Sequence, residues 1–204
     1  MEANAMTAPE VERPKGSTNR KATLAVMAIT GAIIFAVAFI ANQPAASSGN
    51  GITTVTLTGD QSGAAPEVGK AAPGFTATTV DGKTVSLTDF KGHPVWLTFG
   101  ASWCQPCRAE NPDIQATYDK FKGKGVVVLA IFITEDPATV KDYATRVGLT
   151  YDKVADPETK ISSEYRILGI PSHFFIDASG VLRQMRIGSM DVPAMEAALT
   201  GISG

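Results

Sequence analysis

Residues 103–107 of this chain read Trp103-Cys104-Gln105-Pro106-Cys107. The two cysteines of this motif are the only cysteines among the 204 residues. They cannot fill a four-ligand zinc site alone, and the two histidines, His93 and His173, lack the tight spacing of structural zinc modules. A purely structural disulfide is an alternative, but the loop it closes is so short that the gain in stability is small. The spacing therefore favours a dithiol that cycles with a disulfide.

An uncharged, apolar stretch lies near the N-terminus, from residue 24 to residue 41. Its 18 residues approach the roughly 20 that span a bilayer as a helix, and no face of the stretch is polar. We therefore predict a single transmembrane helix over residues 23–42, preceded by a disordered cytoplasmic tail over residues 1–22. A cleaved signal peptide is the alternative, although the residues after the stretch form a poor cleavage site.

The charges on either side of this stretch predict its orientation. The basic residues before it are Arg13, Lys15, Arg20 and Lys21. The next basic residue after it is Lys70. Because basic flanks stay in the cytoplasm, we expect a single-pass cell-membrane protein with its C-terminal part outside, where disulfide chemistry is permitted.

The rest of the chain divides into a linker and one domain. Residues 43–66 are rich in Gly, Ser, Ala, Thr and Pro, which predicts a flexible linker. The alternation over residues 52–58 leaves a further strand open. Residues 67–204 are long enough for one domain with its own core. The net charge of −2 and the lack of a basic stripe argue against a nucleic-acid partner.

Hydrophobic periodicity within the domain predicts an α/β fold. Asp81-Gly82 separates two alternating runs, which indicates a β-hairpin. Further strands are predicted over residues 94–99, 126–133, 174–176 and 181–187. Helices are predicted from within the cysteine motif to about residue 122, and after Asp136, Asp156 and Asp191. Strands that alternate with helices predict a central sheet flanked by helices.

With these elements, the chain resembles the thioredoxin superfamily, and within it the membrane-anchored TlpA/ResA-like thiol-disulfide oxidoreductases, whose domain is a redoxin. The resemblance covers residues 67–204. It is carried by residues 87–92, residues 103–112 and Gly169-Ile170-Pro171-Ser172-His173-Phe174-Phe175-Ile176-Asp177. It implies a thioredoxin-like fold with a mixed central sheet, a cysteine pair at a helix start and a cis-proline opposite. It implies no metal and no cofactor beyond the redox-active disulfide Cys104–Cys107.

The resemblance and the order of the cysteines together predict their roles. Cys104, at the helix N-terminus where peptide dipoles favour an anion, is expected to attack a client disulfide. Cys107 is then expected to attack Cys104 and release the product. Gln105 and Pro106 lie between them and are expected to influence the redox potential. Trp103 is expected to border the client groove.

Three further positions are candidates for the site. Glu110 faces the same side of the helix as Cys107, and ResA-like proteins carry a functional Glu at the matching place. It is either the acceptor of the thiol proton or a solvated first-turn carboxylate. Pro171 matches the cis-proline, and its expected role is to leave the Ile170 backbone free to pair with a client strand. His173 is either a thiolate partner or a histidine that is exposed or satisfied within the core.

Two positions depart from the family pattern. Thr98 stands where many thioredoxins keep a buried Asp that relays protons, which gives Glu110 more to do. Gly100 replaces a large aromatic residue, so the floor of the groove is expected to be more open. His93 precedes a buried strand and is expected to be a loop residue.

The leading functional prediction is an extracytoplasmic thiol-disulfide oxidoreductase that reduces protein disulfides, for example in cytochrome c maturation. The resemblance implies protein thiol clients and a membrane electron donor of the CcdA/DsbD type. The same residues can run in reverse as a disulfide-forming oxidase. A peroxiredoxin-like peroxidase is disfavoured because Ala101 replaces the required Thr three residues before Cys104. A Sco-like copper chaperone, with two thiolates and His173 as ligands, is disfavoured because such proteins usually space the cysteines by three residues.

Overall fold

The computed structural model describes residues 51–204 and, before them, Ile29 alone. Its strands are β1 (Thr53–Thr54), β2 (Thr76–Thr78), β3 (Thr84–Ser86), β4 (Val95–Gly100), β5 (Val127–Ile133), β6 (Asp152–Asp156), β7 (Gly169–Ile170), β8 (Ser172–Ile176) and β9 (Leu182–Ile187). Its α-helices are α1 (Gln105–Phe121), α2 (Pro137–Val147), α3 (Lys160–Glu164) and α4 (Val192–Ile202).

The centre of the fold is a mixed five-stranded sheet in the order β6-β5-β4-β8-β9. Strands β4, β5 and β6 run parallel, and β8 and β9 are antiparallel to their neighbours. Successive side chains of a strand point to opposite faces, so β4 and β5 contribute side chains to two hydrophobic cores, one on each face of the sheet. Leu97 and Leu129 belong to one core, whereas Trp96 and Val128 belong to the other, with residues of α1, α2 and α4. This arrangement confirms the predicted α/β class with a mixed sheet flanked by helices.

Short-range signals placed several elements correctly. Strands β2 and β3 pair as the predicted hairpin around Asp81-Gly82, and Gly82 takes the positive φ of 86° that the turn requires. The side chain of Asp136 caps α2 by accepting hydrogen bonds from the second and third helical amides. The side chain of Asp191 caps α4 by accepting a hydrogen bond from the third helical amide, that of Ala194, at 2.9 Å. The sequence signals for these boundaries are confirmed.

The prediction around Asp156 was wrong. Asp156 does not open a helix but ends β6, an edge strand that the sequence did not indicate because Asp152 and Lys153 break its apolar pattern. The Asp156 carboxylate instead accepts hydrogen bonds from the Ser162 amide and hydroxyl, at 2.8 and 2.7 Å. It therefore fixes α3, which begins at Lys160, from outside the helix.

Residues 51–59, called the docked segment below, fall in the predicted flexible linker but pack on the domain. Within this segment β1 pairs with β7, so the strand left open by the sequence is formed over two residues. Val55 and Leu57 pack against the core that contains Leu97. The packed part of the chain therefore begins before residue 67, because alternating apolar side chains in the segment find a core to cover.

The predicted anchor over residues 23–42 and the predicted tail over residues 1–22 lie outside the described residues, apart from Ile29. Within the part of the chain that the structure describes, no helix has the length and apolar character needed to cross a membrane.

An Asp177→Asn substitution is expected to destabilise the fold in a pH-dependent way. The Asp177 carboxylate lies in the turn from β8 to β9 and accepts hydrogen bonds from Ser179, Val181 and Arg183. Burial raises the pKa of Asp177, but these donors together outweigh it and lower the pKa to about 2. The unfolded value is about 3.9. The stabilisation is therefore present above that value and is lost as the pH falls toward the folded pKa.

Urea unfolding checks this expectation. At neutral pH the substitution should lower the free energy of unfolding by about 2 kcal/mol, and the loss should shrink toward zero in strong acid. Asp113→Asn removes the same charge from an exposed position of α1 and serves as the control. An equal loss at neutral and acidic pH would contradict the assignment.

Candidate active site

The two cysteines form a disulfide at the N-terminus of α1, with their Cα atoms 5.3 Å apart. Cys104 is the N-cap residue, and its Sγ accepts a hydrogen bond from the Cys107 amide at 3.2 Å. Gln105 and Pro106 form the first helical positions, where Pro needs no N–H partner. An amide aimed at the first sulfur, together with the helix dipole, stabilises a thiolate at Cys104 once the disulfide opens.

A carboxylate fixes the loop that leads into the disulfide. Glu135, just after β5, accepts hydrogen bonds from the Ser102 amide at 2.8 Å and from the Ser102 hydroxyl. The side chain of Glu135 is largely buried. Glu135 was not among the residues predicted from the sequence. Its signal is its place after a buried parallel strand, whose carboxyl end lies beside that of β4 and the cysteine motif.

Glu110 is buried, with 4% of its surface exposed, so the alternative of a solvated first-turn carboxylate does not hold. Its Oε1 accepts a hydrogen bond from the Met190 amide at 2.7 Å. The Nε2 atom of His173 lies 3.3 Å from the same oxygen, without the alignment of a hydrogen bond. Oε2 has no hydrogen-bond partner among the described residues. One oxygen is thus held in place and the other is free to react.

A cavity of about 10 Å³ lies beneath the disulfide. Its lining includes Thr98, Gly100, Cys107, Glu110 and Pro171. Three of the residues predicted for the site therefore meet at one place: the second cysteine, the carboxylate and the proline. The small volume matches about one water molecule.

His173 is fully buried and lies behind Glu110 on β8. Its Nδ1 is 3.3 Å from the indole Nε1 of Trp96. An indole N–H is a donor only, so Nδ1 accepts, and the ring proton of this neutral histidine sits on Nε2, the nitrogen near Glu110. His173 is thus a core residue, as one of the two alternatives held, but its contact with Glu110 was not anticipated.

The Ile170–Pro171 peptide bond is cis. The expectation that the Ile170 backbone lies free does not hold, because Thr53 of the docked segment pairs with it. Neighbouring Gly169 allows this approach: a Cβ atom there would lie 2.7 Å from Cγ2 of Ile52. The place expected for a client strand is occupied by the chain itself.

The remaining predicted positions differ in their exposure and in their place relative to the disulfide. Trp103 is 48% exposed at the surface beside Cys104, which is only 1% exposed. A Cβ atom added at Gly100 would lie 3.5 Å from Cys107 Sγ, an ordinary van der Waals contact, and Gly100 lines the cavity beneath the disulfide. His93 lies in a loop, where its Nδ1 is 3.1 Å from the Gly125 carbonyl oxygen.

Comparisons with known proteins agree with this geometry. The sequence profile of the AhpC/TSA family matches residues 68–185. The thiol-disulfide oxidoreductase ResA of Bacillus anthracis is 34% identical over 137 residues, which cover 67% of this chain and 79% of that protein. The ResA of Geobacillus kaustophilus is 34% identical over 135 residues, covering 66% and 78%.

Solved structures show the same fold. A thiol:disulfide interchange protein of the thioredoxin family from Chlorobium tepidum TLS aligns with a TM-score of 0.61 at 30% identity, over 70% of this chain and all of that one. StoA from Bacillus subtilis aligns with a TM-score of 0.55 at 27% identity, over 62% and 96%. The fold is therefore thioredoxin-like, as the resemblance implied.

Proposed function

We propose, given that this chain belongs to the AhpC/TSA family and is a thiol-disulfide oxidoreductase, that it reduces protein disulfides outside the cytoplasmic membrane. In this proposal residues 23–42 anchor it in the membrane, and its clients are proteins with reducible cysteine pairs, such as an apocytochrome c before haem attachment. A membrane donor of the CcdA/DsbD type returns the electrons. The disulfide Cys104–Cys107 is the redox group, and no further cofactor is required.

The proposal that the protein acts as a reductase rests on the buried carboxylate of Glu110 behind the disulfide. Glu110 shares the cavity with Cys107 and is shielded from solvent. A negative charge at this place disfavours a thiolate at Cys107, because like charges repel in a poorly solvated site. Cys107 therefore stays a thiol, and the reduced pair lacks the stabilisation that a second thiolate would give it, which favours a more reducing potential.

The reaction balances as two thiol–disulfide exchanges. The Cys104 thiolate attacks one client sulfur, a mixed disulfide forms, and the other client sulfur leaves as a thiolate. The Cys107 thiol then gives its proton to Glu110, and its thiolate attacks Cys104. The Cys104–Cys107 disulfide closes and the first client sulfur leaves. The client gains two electrons, and the chain loses two.

The opposite direction has one observation in its favour. The Cys107 amide donates to Cys104 Sγ at 3.2 Å, and donors of this kind stabilise the thiolate and thus the reduced form. A protein in which this hydrogen bond has the larger effect on the potential is an oxidant that inserts disulfides. The two contacts act on different sulfurs, so the potential decides between them.

Two other functions fit the site poorly. A peroxidase of the peroxiredoxin type needs a Thr three residues before its reactive cysteine, and Ala101 is there instead. A copper site with His173 as ligand would need a free ring nitrogen, but Nδ1 is engaged by Trp96 and Nε2 lies against Glu110. Both functions therefore lack a group that their chemistry requires.

The reduction potential of the Cys104/Cys107 pair tests the proposed direction. The full-length protein in detergent is equilibrated with thiol redox buffers, and the fraction of free thiols is counted by alkylation and mass spectrometry. We expect a value near that of thioredoxin, about −270 mV. A value near that of DsbA, about −120 mV, would make the protein an oxidase.

A further inference from the structure

The docked segment is seated along β7, the short strand that runs directly into the cis-proline. Thr53 pairs with Ile170 and Thr54 with Gly169 in antiparallel register. The Val55 amide continues the ladder by donating to the Leu168 carbonyl oxygen at 3.1 Å. The backbone groups of this edge are therefore taken by residues of the same chain.

Contacts at both ends hold this segment in place. At its start, the Ser189 hydroxyl lies 3.5 Å from the Gly51 carbonyl oxygen. At its end, the Thr58 and Gly59 amides donate to the Thr159 hydroxyl oxygen at 2.8 and 3.2 Å. The segment thus bridges the two loops that carry Ser189 and Thr159, and its register is set by side-chain contacts as well as by β1.

The fit against Gly169 is close. A Cβ atom at this position would lie 2.7 Å from Ile52 Cγ2, a distance that real Cβ contacts do not show. A larger residue here would force the Ile52 side chain to move, whereas the nearest backbone atom of the segment, the Thr53 carbonyl oxygen, would lie at an ordinary 3.7 Å. Gly169 therefore leaves room for the Ile52 side chain to pack directly over β7.

The location of the segment connects it to the chemistry. Ile170 belongs to the same core cluster as Cys104 and Cys107, and Pro171 lines the cavity next to Cys107. Cys104 is only 1% exposed, although the reaction requires a client sulfur to reach it. An extended client that approaches the disulfide along β7 meets the docked segment first.

We propose that the docked segment is a resident competitor for the client-binding edge of this protein. A client pairs with Gly169 and Ile170 only after residues 52–55 have left, and it takes over their antiparallel register. The partner that fits is therefore an extended segment next to a cysteine rather than a folded surface. This inference rests on the proposed function and names the binding step that precedes exchange.

A cysteine placed in the segment tests its position beside Cys104. In Cys107→Ala protein, Ile52→Cys, Thr53→Cys and Thr54→Cys are made one at a time, with oxidised glutathione as the oxidant. Neighbouring side chains point to opposite sides of a strand. We therefore expect a disulfide with Cys104 either from positions 52 and 54 or from position 53, but not from both sets. Ser62→Cys, exposed and beyond the segment, is the control that should not react.

The readout is peptide mass spectrometry without reduction. Absence of any cross-link from positions 52–54, while glutathione still attaches to Cys104, would overturn the proposal. If glutathione itself fails to attach to Cys104, the proposed thiol chemistry is at fault instead. The two failures are therefore distinguishable.

A substitution that loosens the segment tests its effect on rate. Thr53→Pro removes one N–H and disturbs the pairing, while Gly169 and Ile170 stay intact. Exchange with a cysteine-containing client peptide is expected to become about tenfold faster, because removing a competitor raises the binding-competent fraction. Ser62→Pro should leave the rate unchanged. Equal rates for wild type and Thr53→Pro would contradict the proposal.

Discussion

Cys107→Ala protein is expected to accumulate a mixed disulfide between Cys104 and its client, whereas Cys104→Ala protein is expected to form none. Turnover should fall to the uncatalysed rate in both variants. Both cysteine residues are almost fully buried, at 1% and 4% exposure, so exposure alone does not identify the nucleophile. The assignment rests on the amide and the helix N-terminus, which both favour a thiolate at Cys104.

Non-reducing gel electrophoresis followed by mass spectrometry of the trapped species checks this expectation. The starting material is the reduced variant, mixed with a client peptide that carries one disulfide. Thermal unfolding of both variants controls for damage to the fold, since each lacks the same short disulfide loop. Trapping by Cys104→Ala instead would reverse the two roles.

Glu110→Gln is expected to slow the second exchange step about 100-fold, because the loss of a positioned general base typically costs between about 10² and 10⁴. The first step, the attack by Cys104, should be nearly unaffected. Glutamine keeps the shape of the side chain, and its oxygen still accepts from the Met190 amide. The substitution therefore removes the proton acceptor and leaves the anchoring contact.

Single-turnover kinetics separate the two steps by following the appearance and decay of the mixed disulfide. Asp113→Asn is the matched control, since it removes the same charge from an exposed position on the same helix. A mixed disulfide that decays at the wild-type rate in Glu110→Gln protein would show that Cys107 loses its proton by another route.

Local patterns accounted for much of the fold. The apolar run around Leu129 predicted the strand over residues 126–133, and the Asp136 cap located α2, because these signals depend on neighbours in sequence. Strand β6 was missed because its pairing with β5 is decided by tertiary contacts and not by its polar sequence. The pairing of Thr53 with Ile170 joins positions more than a hundred residues apart, and no local sequence pattern predicts it.

In the site, too, some features follow from neighbours in sequence and others only from tertiary contacts. The cysteine spacing and the i, i+3 relation to Glu110 are visible in the sequence, because one helix carries all three residues. The contacts that orient Glu110 come from Met190 and His173, on distant elements that only the folded sheet brings near. The tautomer of His173 depends on Trp96 of the neighbouring strand, so no reading of the residues alone could assign it.

The cavity beneath the disulfide has a consequence for the timing of protons. At about 10 Å³ it is as small as one water molecule, and Glu110 lines it together with Cys107, so the carboxylate is the acidic group beside this thiol. With Glu110 as the proton acceptor, each two-electron exchange transfers one proton to a carboxylate that can bind only one. The Glu110 carboxylate must therefore be without a proton when the Cys107 thiol reacts, and it must release the proton that it accepts before the next client is reduced.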